Sequence, residues 1–273
     1  MPLARFGYGA GVLPFSFDFV SAANELSVAD STTKKREVKD ELPDDLDGGE
    51  AVNYLKETKK GAELLLSARS PSLGLHPALY FYTSGGAFQP AALFNVYAWI
   101  KQLEQSGKIV DFLRVRGKFE QMILDHPVLG KPATHRLGSG GRTRRRMVTL
   151  YDGLLDRLLA GDDPSKVWAE MTGQSDFAFL LTDEQEQQQR KSEGAAGKGF
   201  SRAAKSGAFL EEALPIAPRC GLCGGLLHVN GIVSDHIVEK AQGGSSAGAN
   251  ARPIHPRCNS ERKHLSNHQY GAL

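Results

Sequence analysis

The spacing of three cysteines and one histidine constrains the fold of this sequence more than any other feature. The 273-residue chain has only three cysteines, and they form one pattern with a histidine, C-x2-C-x31-H-x2-C, at Cys220, Cys223, His255 and Cys258. Three thiolates and an imidazole are a typical tetrahedral ligand set for Zn2+, and a CxxC turn lets two thiolates converge on one ion. The sequence therefore predicts a structural zinc that stabilises a unit too small to hold together by apolar burial alone. The alternative is a redox CxxC beside an unrelated cysteine, but the Gly-rich turn does not fit the strand–helix context of such motifs.

Polar residues with regular spacing lie between and beyond these ligand pairs: Asp235, His236, Gly243, Gly244, Asn250 and Asn259. His236 precedes Asn250 by fourteen residues, and Asn250 precedes His255 by five. This arrangement resembles the zinc-knuckle branch of the HNH (ββα-metal) endonucleases, in which an Asp-His strand end, a Gly-Gly turn and an Asn precede the second zinc pair. The resemblance covers less than a quarter of the chain and implies a ββα-metal fold that cleaves DNA.

Cleaving a phosphodiester requires an activated water and a cation on the phosphate, and the motif residues suit both needs. His236 fits the general base because imidazole titrates near neutral pH. The resemblance implies that Asn250 holds the following loop and orients His236. It also implies that Asp235 and Asn259 bind one catalytic ion, and their hard oxygen ligands favour Mg2+ or Mn2+. The predicted cofactors are thus a structural Zn2+ and a catalytic Mg2+ or Mn2+.

Two departures from the family pattern leave other functions open. Glu239 stands where the family often has Pro, and the final motif residue is Asn259, which makes the motif H-N-N. One alternative is a zinc-stapled DNA-binding module without catalysis, and another is a protein-interaction adaptor. His264 and His268 could serve as ligands instead of being surface residues.

The charge distribution predicts a polyanion as partner. Residues 101–150 carry 11 basic and 4 acidic side chains, residues 151–200 carry 5 and 10, and residues 201–273 carry 8 and 5. Two basic zones separated by an acidic one suggest DNA contacted in two places, although uneven solvated faces would give the same count. The predicted DNA-binding residues are Arg142, Arg144, Arg145, Arg146, Arg262 and Lys263.

Apolar periodicity predicts a mainly helical N-terminal domain joined to a small α+β domain. Helices are expected over residues 52–68, 90–105, 109–124, 145–159 and 164–171, two of them opened by a proline. The predicted organisation is a helical recognition or regulatory domain over 1–172, a flexible or helical linker over 173–210, and an HNH nuclease domain over 211–273. Within the last, Asn230-Gly231 predicts a tight hairpin turn, with His228 on the strand surface.

The helical region suggests a biological context. Residues 74–103, with the helix after the arginine cluster, are similar to the helical part of restriction proteins that join a ParB-like domain to an HNH nuclease. The D-G-Q-type signature of the ParB-like domain is missing from the sequence, and so is a P-loop, so nucleotide hydrolysis is not predicted. The similarity favours restriction or antiviral defence. The helical region could instead be a sensor domain, or a docking domain for a partner protein or for a second copy of the chain.

The composition also bears on the compartment. The chain has no apolar run long enough to span a membrane. Its apolar N-terminal stretch is interrupted by Arg5 and Asp18, which does not fit a signal peptide. Three cysteines are too few for a disulfide scaffold. We expect a cytoplasmic protein that does not bind membranes.

Overall fold

A computed structural model describes residues 19–20, 22–24, 45–130, 141–192 and 199–265 of the chain. In chain order the helices are α1 (Gly49–Leu65), α2 (Pro77–Tyr80), α3 (Pro90–Gln105), α4 (Ile109–Asp125), α5 (Gly141–Leu159), α6 (Pro164–Thr172), α7 (Phe179–Ser192), α8 (Arg202–Ala213), α9 (Pro256–Ser260) and α10 (Arg262–Leu265). Strands β1 (Val233–His236) and β2 (Ala251–Ile254) form an antiparallel pair. This confirms the predicted fold class. No helix in these ranges is long and apolar enough to cross a membrane.

The helix boundaries follow from local sequence signals. The first residue of α3 is Pro90, which suits a helix start because that position needs no hydrogen-bonded N–H. Asp163 caps α6, and its side chain accepts hydrogen bonds from the backbone N–H groups of Ser165 and Lys166. Helix α5 begins at Gly141, earlier than predicted, so the arginine cluster lies on the first turns of a helix.

The centre of the helical layer is an aromatic cluster. Trp99 of α3 stacks on Phe119 of α4 at a centroid distance of 5.1 Å and meets Phe112 edge-on, also at 5.1 Å. Tyr151 of α5 packs against Trp99 at 5.2 Å. The Trp99 indole donates a 2.8 Å hydrogen bond to Asp152, so its one polar atom is satisfied. These contacts hold α3, α4 and α5 together.

The segment predicted as a linker, residues 173–210, contains α7 and most of α8. Phe177 and Leu180 are buried in the same core as the aromatic cluster, and Leu210 is buried on α8. The described part of this segment, residues 173–192 and 199–210, is therefore largely helical, and two of its residues belong to the core. The domain boundaries themselves stay a prediction.

The predicted hairpin at Asn230-Gly231 is wrong, because β1 pairs instead with β2 across the Gly-Ser loop. Val229–Gly231 form a 3-10 turn, in which the His228 ring accepts a hydrogen bond from the N–H of Asn230. His228 is buried and not on a strand surface. The physical reason is that the preceding residues are drawn into the core: Leu226 is fully buried, and its N–H donates to Glu120 of α4.

The helical layer and the C-terminal unit share one hydrophobic core. The N–H of Gly117 on α4 donates to the carbonyl of Cys223 at 3.0 Å, and the N–H of Arg257 donates to Ser72 at 2.9 Å. The backbone of Gly74 packs so closely that a Cβ there would lie 2.5 Å from the carbonyl oxygen of Gly231. Helix α4 therefore forms one wall of the C-terminal unit.

Candidate functional site

The structure brings together the four predicted zinc ligands. Cys220, Cys223, His255 and Cys258 are all buried, and their ligand atoms lie within 4.8 Å of one another. The CxxC turn is closed by two backbone hydrogen bonds, from Cys220 to Gly225 and from Gly224 to Cys220. Gly224 has a φ of 68°, a left-handed conformation that glycine adopts without strain. The donor set and its convergence fit Zn2+.

The hydrogen bonds of His255 select the nitrogen that would bind the ion. Its Nε2 lies 3.0 Å from the carbonyl oxygen of Leu226, which can only accept, so Nε2 carries the proton. Its Nδ1 faces the thiols, 3.3 Å from Sγ of Cys223 and 3.9 Å from Sγ of Cys258. A backbone carbonyl that fixes the ring of a ligating histidine in this way is a common support of zinc sites.

A buried ion pair on α4 contacts this cluster through His255. Arg116 and Glu120 are both fully buried, and Nε of Arg116 donates to Oε1 of Glu120 at 2.6 Å. Arg116 also donates to the carbonyl of Leu73 at 2.6 Å, and its Nη1 lies 3.3 Å from Nδ1 of His255. Glu120 accepts hydrogen bonds from the Tyr80 hydroxyl and from the N–H of Leu226. Leu226 thus connects Glu120 to His255.

Burial and neighbouring charges shift the pKa values of Arg116, Tyr80 and the cysteine thiols around the Cys3His cluster. Burial alone would lower the pKa of Arg116, but Glu120 and the Cys223 thiol outweigh it and raise that pKa. Burial, then the charge of Glu120, raises the pKa of Tyr80, so its hydroxyl stays a donor. Hydrogen bonds from Cys223 and Cys258 lower the pKa of the Cys220 thiol. Burial, then the hydrogen bond with Cys220, raises the pKa of Cys223, and hydrogen bonds with Cys220 and Cys223 raise the pKa of Cys258. Arg116 therefore remains a cation beside a group of sulfurs that would be anionic around a metal.

Sequence reasoning missed the Arg116–Glu120 pair. The available signal was an oppositely charged pair at i and i+4 on a helix that is otherwise apolar on that face. Such pairs usually lie in solvent, so the sequence alone gave no reason to place this one in the core.

Asp235 lies on β1 and is buried, with a relative exposure of 7%. Both of its carboxylate oxygens are engaged by arginines. Oδ2 accepts from Nε and Nη2 of Arg252 at 3.0 and 2.9 Å, and Arg252 is its register partner on β2. Oδ1 accepts from Nη1 of Arg262, which also donates to the carbonyl of His236 at 3.0 Å. The carboxylate of Asp235 and the side-chain amide oxygen of Asn259 are oxygen ligands of the kind that suits Mg2+ or Mn2+.

His236 is the last residue of β1 and is half-buried. Its Nε2 is enclosed, with no hydrogen-bond partner among the residues that the structure describes. The loop that follows is held by Asn250, whose side chain accepts from the N–H of Val238 at 2.8 Å and donates to the carbonyls of Val238 and Ser245 at 3.0 and 2.7 Å. Asn250 therefore contacts the loop next to His236, and its backbone carbonyl also accepts from Ile237.

The Gly-Gly turn has a steric reason. A Cβ at Gly244 would lie 1.8 Å from the carbonyl oxygen of Val238 and 2.9 Å from Nδ2 of Asn250. Only glycine fits there while Asn250 keeps its hydrogen bonds to Val238. Gly243 has a φ of 83°, which also favours glycine.

Asn259 is exposed on α9, directly after the zinc-ligand candidate Cys258. Its backbone N–H donates to the carbonyl of His255 at 3.1 Å. Helix α9, which carries both Asn259 and the zinc-ligand candidate Cys258, packs against β1, the strand that ends in His236.

The predicted DNA-binding residues are distributed between the two zones. On α5, the Arg144 guanidinium lies 5.9 Å from the Phe94 ring centroid, Arg145 is exposed and Arg146 is half-buried. Lys263 is exposed on α10, as is His264. The side chain of Arg142 and all of His268 lie outside the described residues.

The comparisons with known proteins identify the C-terminal unit. Residues 220–265 match the family model described as HNH endonuclease. No curated protein and no solved structure matches the chain. The matched range begins at the first cysteine of the metal cluster, spans both strands and ends with α10. Residues 220–265 of this chain are therefore an HNH endonuclease domain, with a Cys3His cluster suited to zinc.

Proposed function

We propose that this protein is a DNA endonuclease that hydrolyses phosphodiester bonds with the help of Mg2+ or Mn2+. The observation that carries the proposal is the setting of His236 within an HNH domain. His236 is the last residue of β1, and its Nε2 is enclosed. Asn250 accepts hydrogen bonds from the N–H groups of the next two residues, Ile237 and Val238. A general base has to be held in this way, in one orientation, with one nitrogen left for the water.

The proposed chemistry assigns one task to each motif residue. His236 would accept a proton from the attacking water through Nδ1, because Nε2 is enclosed. A divalent cation at Asp235 and Asn259 would stabilise negative charge on the scissile phosphate and on the leaving oxygen. Asn250 would keep His236 in place through the loop. The Cys3His cluster would act at a distance, by fixing α9 and therefore Asn259.

The contacts with DNA are also part of the proposal. Exposed Arg145, its neighbours Arg142, Arg144 and Arg146, and Lys263 would contact the phosphate backbone and would position the duplex without reading its sequence. We extend the proposal to restriction or antiviral defence in the cytoplasm, with a partner protein or a second copy docking on the helical layer. Protection of cells against phage or foreign plasmid by the parent, lost with His236→Ala, would support that role.

The test is the incubation of zinc-loaded protein with supercoiled plasmid in Mg2+, in Mn2+ and in EDTA, beside His236→Ala. We expect metal-dependent nicking by the parent and none by the variant, at equal zinc content and equal DNA binding in a gel shift. His264→Ala should cleave like the parent if His264 is a surface residue and not a ligand.

A DNA-binding module without catalysis is the second candidate, because both oxygens of Asp235 are engaged by arginines. A gel shift with no cleavage by either protein, in every metal, would favour it. Neither DNA binding nor cleavage would favour the adaptor.

A further inference from the structure

The carboxylate of Asp235 is closed to a metal ion in this structure. Its two oxygens face the guanidinium groups of Arg252 and Arg262, and 7% of the residue is exposed. A dication that approached either oxygen would meet the guanidinium bonded to that oxygen, with the second guanidinium on the other oxygen of the same carboxylate. These positive charges disfavour the ion in a partly buried site. One arginine therefore has to leave before Asp235 can serve as a ligand.

The two arginines differ in how firmly they are held. Arg252, on the paired strand β2, donates to Oδ2 through two nitrogens. Its Cδ packs against Gly221, so closely that a Cβ on Gly221 would lie 3.2 Å from that Cδ. Arg262 uses one nitrogen on Oδ1 and lies on the four-residue helix α10. Its Nε is 3.2 Å from Glu239, a residue that is about half exposed. The Arg252 side chain is the more exposed of the two, at 27% against 20%, but among the described residues it donates only to Asp235. Arg262 would keep Glu239 and the carbonyl of His236 as partners, so it is the arginine that can release Asp235.

A phosphate is the group that would draw Arg262 away. The guanidinium group matches phosphate oxygens geometrically, and the Arg262 side chain is 20% exposed, so one side of it is accessible. The Arg262 side chain also donates to the carbonyl of His236, which places it beside the residue proposed as the general base. Both hydrogens of Nη1 are used, by Asp235 and by the carbonyl of His236, so this nitrogen can donate to a DNA phosphate only by giving up one of these two bonds.

We propose that Arg262 is a gate that couples DNA binding to binding of the catalytic ion. In the free protein, Arg262 is paired with Asp235 and excludes the cation. In the DNA complex, Arg262 transfers to a backbone phosphate, and Asp235 becomes free to bind Mg2+ or Mn2+. Glu239, at the position where the family often has Pro, retains Nε of Arg262 near the site. The inference rests on the proposed function in two respects only, that the ion is Mg2+ or Mn2+ and that the phosphate belongs to DNA.

Binding of Mn2+, measured by electron paramagnetic resonance, tests this without relying on cleavage. The zinc-loaded proteins carry His236→Ala so that a short DNA duplex stays intact, and each is titrated with Mn2+ with and without that duplex. Arg262→Gln is compared with Arg257→Gln, which removes a nearby half-buried arginine paired with Glu261 and Glu104. We expect Arg262→Gln to strengthen Mn2+ binding without DNA by about tenfold or more, since a positive charge in contact with the ligand is removed.

The coupling to DNA provides the second half of the test. DNA should strengthen Mn2+ binding by a larger factor when Arg262 is present than in Arg262→Gln. In both proteins the scissile phosphate contributes to binding of the ion, but only with Arg262 present does DNA also release Asp235. Adding Asp235→Asn should abolish the gain of Arg262→Gln. Arg257→Gln should behave like its parent in every titration.

The outcomes separate this inference from the proposed nuclease function. Equal Mn2+ affinity with and without Arg262, or no Mn2+ binding under any condition, would overturn the gate. If the wild-type chain nicks plasmid in the companion assay while the affinities are equal, the gate fails and the nuclease stands. If Arg262→Gln gains Mn2+ affinity while the wild-type chain never cleaves, the gate stands and the nuclease fails. Zinc content and circular dichroism of each variant confirm that the fold is kept.

Discussion

The buried Arg116–Glu120 pair should be essential for the stability of the zinc-loaded protein, and Glu120→Gln tests this. The substitution keeps the shape of the side chain but leaves the Arg116 guanidinium without its charge partner at full burial. Removing one member of a buried pair costs about 3–5 kcal/mol. The amide also cannot accept from Arg116, Tyr80 and Leu226 as the carboxylate does, and a buried unsatisfied donor costs about 1–3 kcal/mol. Because these terms overlap, we expect a loss of about 4 kcal/mol.

Urea unfolding, followed by the fluorescence of Trp99 and Trp168, measures that loss. The matched control is Glu57→Gln on α1, which breaks a solvent-exposed pair with Lys60 and should leave the unfolding midpoint unchanged. Combining Glu120→Gln with Arg116→Met should cost less than the sum of the two single changes, because the second change removes the unpaired charge. A loss below about 1 kcal/mol for Glu120→Gln would refute the reasoning.

The same variant should also weaken zinc binding. Glu120 holds the N–H of Leu226, whose carbonyl fixes the ring of His255. Loss of such outer support typically lowers metal affinity about 10- to 100-fold. Competition with a chromophoric chelator at fixed pH measures this directly. An unchanged zinc affinity would show that the ion pair supports the fold and not the metal cluster.

Three further predictions concern the surroundings of the site. Gly74→Ala should cost about 2–4 kcal/mol in urea unfolding, because φ is +57° and the new Cβ would lie 2.5 Å from a carbonyl oxygen and 2.8 Å from Cδ2 of His255; Gly107→Ala, with a φ of +71° and open space, should cost only about 1–2. Asn250→Ala should reduce plasmid nicking at unchanged zinc content, because the loop after His236 loses three hydrogen bonds, and full activity would contradict this. Burial, with His228 nearby, lowers the pKa of His76 to about 4. The unfolded chain therefore binds more protons between about pH 6.5 and 4, and stability falls as the pH drops through that range, by up to about 3 kcal/mol. His76→Gln should flatten the dependence of the urea midpoint on pH, and an unchanged slope would contradict the assignment.

The sequence predicted the helices and the metal cluster well, because both depend on local or regularly spaced signals. Pro90 marks the start of α3, and the four zinc-ligand candidates meet as their spacing requires. The hairpin at Asn230-Gly231 failed because a tertiary contact outweighed a local turn preference. Glu120 draws in the backbone of Leu226, and the residues after it turn in a 3-10 conformation.

The long-range contacts of the charged residues could not be predicted, because they join residues far apart in the sequence. Arg262 is predicted as a DNA contact, yet in the structure it binds Asp235, 27 residues earlier. Glu120 and Leu226 are 106 residues apart. No pattern in either segment indicates the other, and charged residues are rarely buried unless a partner is already in place.

The most direct test of the central claim is the rate of plasmid nicking at saturating protein, with equal zinc content in the parent and in His236→Ala. A general base contributes about 10²- to 10⁴-fold to a rate, so the variant should be slower by at least about a hundredfold in Mg2+ while it binds DNA equally well. Nicking by His236→Ala at the rate of the parent would contradict the account, since it would place the catalytic base elsewhere.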